Sequence, residues 1–393
     1  MLLGLLLSLS TAFAVEDIWP EIEFSEQTVK TPKDTALIIS IEDYAFVSDI
    51  PGANRNGQDW YRYFTESKGL PTENVRWLKD TNGSKEKIYT SALEIADKSS
   101  EEGNMWLVFI GHGAPSEDGS DGMLIGVDAQ QDAQGLYGRS ISQEKLLALL
   151  EQGKQKETIA IIDACFSGKS TSGELAPGLQ PLIATADLET GTTTVLSAGR
   201  NDEFAGPLPG ADRPAFSYLA LGALQGWGDT DQNGELDAKE VQSYASKALQ
   251  STLLGRQQNP QVVGATGSTI GEGTSKSPDF AQINLNMRTW EEAKKAEMLR
   301  GDKLFSFAGN SKSLISIGMG TTFVILGAYY GIQTNKYASQ ASSNRFDPNV
   351  NTNLNAQKDF EQLEVDYQTS KRRAIRLGAT APFVIGMGLY FAL

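Results

Sequence analysis

The chain is poor in the two side chains that carry most protein redox, zinc and acid–base chemistry. Its 393 residues include one cysteine, Cys165, and one histidine, His112. A lone cysteine excludes an intrachain disulfide, a Cys-x-x-Cys redox pair, a c-type haem motif and an iron–sulfur cluster. Two potential ligands of the Cys/His type are too few for an ordinary zinc site. A single histidine can serve at most one acid–base site, so any histidine-dependent chemistry in this chain is already located. Basic residues are also scarce: 34 Lys+Arg face 49 Asp+Glu, a net charge of −15. Nucleic-acid binding releases counterions through clustered Lys and Arg, and this balance argues against such a partner. Cationic partners or substrates suit the surface better.

With 40% apolar and 21% charged residues, the composition is that of a globular protein with ample core. The two ends read differently from the middle. Residues 1–14 (MLLGLLLSLSTAFA) combine a Leu-rich run with the small-x-small triplet Ala12-Phe13-Ala14, although no Lys or Arg precedes them. We read them as a signal peptide, with export expected and Val15 as the mature start. Residues 15–33 are a mixed, Pro-containing lead-in. Near the C-terminus, Ser313–Ile332 and Leu377–Leu393 are uncharged runs of 20 and 17 residues, close to the length that spans a bilayer. Gly327 and Gly331 form a GxxxG pair suited to close helix contact. Lys371, Arg372, Arg373 and Arg376 crowd the second run, as cytoplasmic flanks do. A C-terminal transmembrane hairpin is therefore expected, with 333–376 as its loop and 266–312 as a linker and charged helix.

Between residues 34 and 265, short apolar runs alternate with amphipathic stretches. Strands are expected at 35–41, 75–78, 105–110, 158–162 and 193–197. Helices are expected at 54–66, 85–96, 142–151, 215–225 and 238–250. That alternation predicts an α/β domain with a mostly parallel sheet flanked by helices. Ligands of such sheets bind beyond the carboxyl ends of the strands. Both single residues fall there, at the ends of successive strands, in FIGHG (109–113) and IIDACFSG (161–168). From Gly264 to Lys276 the chain turns Gly/Ser/Thr-rich and reads as a linker. FSGKS (166–170) is not the end of a phosphate loop, because Asp163 stands where that loop requires glycine. No organic cofactor is expected.

His112 precedes Cys165 by 53 residues, near the 50-residue offset of caspases. Together with the opening ALIISIEDY (36–44), the HG turn and the DACFSG box, this spacing resembles the caspase-like cysteine peptidases: caspases, metacaspases, legumain and gingipain-type enzymes. The resemblance implies a caspase-like fold over residues 34–265 and an endopeptidase acting on peptide or protein substrates. Cys165 would be the nucleophile and His112 the general acid–base. The N–H groups of Gly113 and Cys165 would form the oxyanion hole. No residue in the sequence announces itself as the orienter of His112. Asp163, two residues before the nucleophile, would bind a basic side chain before the scissile bond. Asp202 and Glu203, after the fifth strand, would add an acidic wall to that pocket.

A second motif stands apart from the resemblance. DTDQNGELDAKE (229–240) matches the twelve-residue EF-hand loop. Asp229, Asp231 and Asn233 occupy positions 1, 3 and 5. Gly234 takes position 6, the Glu235 carbonyl 7, Asp237 position 9 and Glu240 position 12. A Ca2+ ion is the expected ligand. The combined expectation is an exported, membrane-anchored, calcium-binding cysteine endopeptidase with its peptidase domain outside the cytoplasm. The alternatives are a non-catalytic calcium-dependent binding module on a membrane anchor, and a transpeptidase using the same pair.

Overall fold

All five expected strands lie in one sheet. The computed structural model describes residues 18–24, 30–170, 173–175, 191–200, 203–253, 257–273 and 277–289. In chain order its elements are β1 (Thr35–Ser40), α1 (Ala53–Arg62), β2 (Val75–Lys79), α2 (Lys85–Asp97), β3 (Met105–Ile110), β4 (Gly113–Pro115), β5 (Gly122–Ile125), α3 (Ala133–Gly138), β6 (Ser140–Ser142), α4 (Gln143–Leu150) and β7 (Thr158–Asp163). There follow β8 (Lys169–Ser170), β9 (Gly173–Glu174), β10 (Thr193–Ser197), α5 (Ala215–Gly222), β11 (Glu235–Asp237), α6 (Ala238–Thr252), β12 (Gln261–Gly264) and β13 (Thr269–Glu272).

The main sheet runs β12-β10-β7-β3-β1-β2. Its first five strands in sequence are parallel, and β12 closes one edge antiparallel to β10. Alternation along each strand feeds two apolar layers. Ile38, Val108 and Ile161 point to the layer formed with α1, α5 and α6. Leu37, Phe109 and Ile162 point to the other, formed with α2 and α4. Burial on both faces explains why these strands read as continuous apolar runs. Helix α2 starts where Ser84 accepts the Lys87 N–H, and α6 starts in a capping box between Asp237 and Glu240.

Three parts depart from the expectation. The small antiparallel sheet β4-β5-β6 inserts between the histidine turn and α4, in strands too short for a periodicity to register. The stretch from Gly264 to Lys276, expected as a linker, instead carries β13, which pairs with β11, and its Ile270 is buried. Helical residues 280–289 follow, and Ile283 and Met287 enter the core, so the packed domain continues past residue 265. The lead-in packs as well: Ile18, Trp19 and Ile22 are buried in the layer with α5. The expected signal peptide and both expected transmembrane segments lie outside the described residues. Among the described residues, no helix is long and apolar enough to cross a membrane.

At the amino ends of β1 and β3 sits a buried ion pair. Asp34 accepts the Trp106 indole N–H at 3.0 Å and the Asn104 N–H at 2.9 Å. The Lys68 ammonium lies 3.9 Å from Asp34 and 4.9 Å from the centre of the Trp106 ring. Burial holds the Lys68 pKa below its ordinary value, against the opposing charges of Asp34 and Glu272. Deleting one partner strands the other in the interior. Asp34→Ala is therefore expected to lower unfolding free energy by about 3–5 kcal/mol in urea titration, and adding Lys68→Met should restore part of it.

Candidate active site

Strands β3 and β7 are neighbours in register, with Ile110 opposite Asp163. They therefore end at the same height, and the turns that follow emerge side by side. One turn carries His112 and the other Cys165, and both line a single cavity of about 240 Å³. The glycine after the histidine allows this approach. A Cβ on Gly113 would stand 2.8 Å from the Cys165 carbonyl oxygen, closer than real contacts permit. Gly168, at φ 67°, turns the chain back after the cysteine.

His112 is held on three sides. Its Nε2 lies 2.7 Å from the Ser48 carbonyl oxygen; a carbonyl only accepts, so Nε2 carries the proton and Nδ1 is the basic nitrogen. Its backbone N–H donates to the Tyr44 hydroxyl at 2.8 Å, and that hydroxyl donates to the Ile125 carbonyl at 3.4 Å. The Tyr44 ring packs 4.8 Å from the imidazole, centre to centre. Burial lowers the His112 pKa to about 4, although the Ser48 carbonyl and Asp49 pull it upward. Burial likewise pushes the Tyr44 phenol far above its ordinary value, so it serves as a neutral hydrogen-bonding group.

Cys165 is 8% exposed. Its Sγ lies against the backbone of one residue, donating to the Ala205 carbonyl at 2.7 Å and accepting the Ala205 N–H at 2.9 Å. Ala205 belongs to the segment after β10, which also lines the cavity with Phe204, Gly206 and Pro207. This segment is tied down by Gln258. Its amide donates to the Ala198 carbonyl at 3.0 Å and accepts the Gly206 N–H at 3.3 Å.

A model of the caspase domain matches residues 33–277, more than half of the chain. The chain belongs to the caspase-domain family. No curated protein sequence matches it. Among solved structures, a structural-genomics protein from Geobacter sulfurreducens has a TM-score of 0.42 at 14% identity, covering 64% of this chain and 97% of its own. Caspase-1 from Spodoptera frugiperda has a TM-score of 0.40 at 12% identity, covering 66% of this chain and 98% of its own.

This caspase-domain chain brings together three of the residues expected in the site and separates others. Asp163 reaches the cavity wall, where its Oδ2 accepts both the N–H and the hydroxyl of Ser217 at 2.7 Å. Asp202 lies outside the described residues. Glu203, expected in the pocket wall, turns elsewhere: its carboxylate accepts the Asn259 N–H at 2.7 Å, the Asn259 side-chain amide and the Arg200 N–H at 3.1 Å. Burial alone would raise its pKa, but those donors outweigh it and hold the carboxyl below the ordinary range. Glu203 thus fastens the cavity segment and does not line the cavity among the described residues. Two carboxylates that sequence reasoning missed, Asp49 and Asp212, do line it. Neither sits in a motif, and only folding carries them there. The Ser48 carbonyl was equally invisible, because a backbone acceptor leaves no residue-type signature.

The acidic loop at 229–240 has the shape its glycine predicted. Gly234 adopts φ 84°, and Asp229 accepts the Asn233 and Gly234 N–H groups at 3.2 and 3.1 Å. One carboxylate oxygen each from Asp229, Asp231 and Glu240 lie within 4.8 Å of one another. Asn233, Glu235 and Asp237 line the same depression. A hard cation with oxygen ligands fits this donor set. The loop strand β11 pairs with β13, and Leu236 between them is fully buried.

The unperturbed imidazole pKa is about 6.5, so a folded value lowered to about 4 means the folded protein refuses a proton that the unfolded chain takes up between those limits. The stability this contributes is full above pH 6.5 and is lost as pH falls toward 4. The single imidazole resonance of the native protein should titrate near pH 4 in NMR; a midpoint near 6.5 contradicts this assignment.

Proposed function

We infer that the chain is a cysteine endopeptidase that cuts peptide bonds after Arg or Lys, using Cys165 and His112 through an acyl-enzyme. The observation that carries the reading is the cavity the two side chains share. It is lined by three carboxylates, Asp49, Asp163 and Asp212, with no Lys or Arg among its described lining residues. A cationic side chain entering beside Cys165 meets compensating charge in a partly desolvated wall, which favours it over an acidic one.

Chemistry follows from the orientation of each group. The Cys165 sulfur attacks the carbonyl carbon of the scissile bond as its proton passes to His112 Nδ1. His112 receives and returns protons at Nδ1, because Nε2 is committed to the Ser48 carbonyl. The departing amine takes that proton as the C–N bond breaks and the thioester forms. Water then attacks the thioester with Nδ1 as base, releasing the acid and restoring the thiol. The N–H groups of Gly113 and Cys165 are the candidates to hold the oxyanion, as the close approach of those two backbones supports. Productive binding requires the Ala205 backbone to leave Sγ, since its N–H and its carbonyl are both engaged there.

The loop at 229–240 takes one calcium ion in this reading, through Asp229, Asp231, Asn233, the Glu235 carbonyl, Asp237 and Glu240. The ion neutralises clustered carboxylates and so stabilises the loop between α5 and α6. Its pairing with β13 ties that gain to the whole domain.

Two measurements test the proposal. Fluorogenic peptides ending in Arg or Lys should be hydrolysed in preference to Asn or Asp peptides, and Asp163→Asn should cut kcat/KM for the basic ones by about 10²-fold. Cys165→Ala must abolish turnover; faster cleavage after Asp would defeat the specificity. For the metal, calcium at about 100 times its Kd should add about 2.7 kcal/mol to stability and raise Tm by about 5–10 °C. Asp229→Ala should erase that rise, and an unchanged Tm on chelation would remove the ion from the account.

A further inference from the structure

The loop Pro207–Pro214 forms one side of the cavity: Pro207, Asp212 and Pro214 all line it. Internally it is a narrow turn. Pro207 bridges Pro214, the Leu208 N–H donates to the Arg213 carbonyl at 2.9 Å, and the Ala211 N–H donates to the Leu208 carbonyl at 3.1 Å. Two outside supports hold it. On the α1 side, buried Arg213 donates to Asn56 at 2.7 Å and to Asp59 at 2.6 Å. On the far side lies the lead-in segment, which precedes the matched family domain.

That segment grips the tip of the loop. The Trp19 indole N–H donates to the Pro209 carbonyl at 2.8 Å. Ile18 packs so tightly on Gly210 that a Cβ there would stand 2.4 Å from the Ile18 Cδ1, and Gly210 holds φ 71°. Trp19 also packs edge-on to Tyr218 at 5.9 Å, and the Tyr218 hydroxyl donates to the Pro20 carbonyl at 2.6 Å. Tyr218 stands next to Ser217, the residue that holds Asp163. The lead-in thus touches both the loop with Asp212 and the helix that fixes Asp163.

We propose that residues 18–20 are positioning residues for substrate recognition, with Trp19 as the clamp that sets the cavity wall formed by Pro207–Pro214. The proposal rests on the peptidase reading for its kinetic consequence but not for its structural one. Trp19 touches no reacting group. Its effect falls on how well the wall is preformed, and so on substrate binding more than on the covalent steps.

The test uses the full-length protein with Trp19→Phe, which keeps a ring but loses the donor, and Trp19→Ala, which loses both. For Trp19→Phe, KM for a basic peptide should rise about fivefold, the size expected from one lost hydrogen bond, with kcat within about twofold. Trp19→Ala should raise KM further. Alkylation of Cys165 by iodoacetamide, which needs no wall, should keep its rate in both. Hydrogen exchange at the amides of Leu208 and Ala211 should quicken in both variants, while β3 and β7 stay protected. A fall in kcat at constant KM, or unchanged exchange at the loop, overturns the proposal. Should the parent protein show no Cys165-dependent turnover, the peptidase reading fails alone, and loop exchange still decides the clamp. If Trp19→Ala does not fold, the Phe variant carries the test.

Discussion

The parallel register of β3 on β7 is the constraint from which the candidate site follows. Because Ile110 lies opposite Asp163, both strands stop together and deliver their next residues to one place. A slip by one residue would turn each strand's apolar set to the wrong face and separate the turns. That register is enforced by the two apolar layers. Each strand buries alternate residues against different helices, so the sheet can occupy only one setting. The reactive side chains have no say in where they stand.

Around that point, the surroundings of the two side chains are mostly backbone. His112 is oriented by a carbonyl and by a tyrosine hydroxyl that is itself too buried to ionise. Cys165 is met by the N–H and the carbonyl of Ala205. The acidic side chains take up the outer roles. Asp163, Asp49 and Asp212 face the cavity, whereas Glu203 and the Arg213 ion pair hold the segments that shape it. The division has a physical basis: dipoles orient without adding net charge beside a neutral imidazole, while the carboxylates at the wall set the charge of the cavity.

Much of this was legible in the sequence, for identifiable reasons. Continuous apolar runs gave β1, β3, β7 and β10 nearly to the residue, since strands buried on both faces need no alternation to be seen. The Cys165 and His112 turns were legible because each residue type occurs once. The turn in the acidic loop at 229–240 was legible because Gly234, at φ 84°, is a position that local geometry reserves for glycine. What escaped depends on distant contacts. β13 lay hidden in a Gly/Ser/Thr-rich stretch, because its strand character comes from pairing with β11. Asp49 and Asp212 have no motif, and Glu203 is misplaced by sequence proximity because Asn259, fifty-six positions away, captures it. The packing of the lead-in escaped notice since three buried residues in a short, Pro-containing run create no period. The segments expected to direct export and anchoring fall outside the described residues.

The Ala205 backbone lying on the Cys165 sulfur has a consequence for the chemical lifetime of the protein. A thiol oxidised to the sulfenic acid is normally rescued by a second thiol nearby, and this chain has none to offer. Further oxidation would end its reactivity for good. In a chain with a single sulfhydryl, the Ala205 backbone that covers the sulfur also stands between it and peroxide.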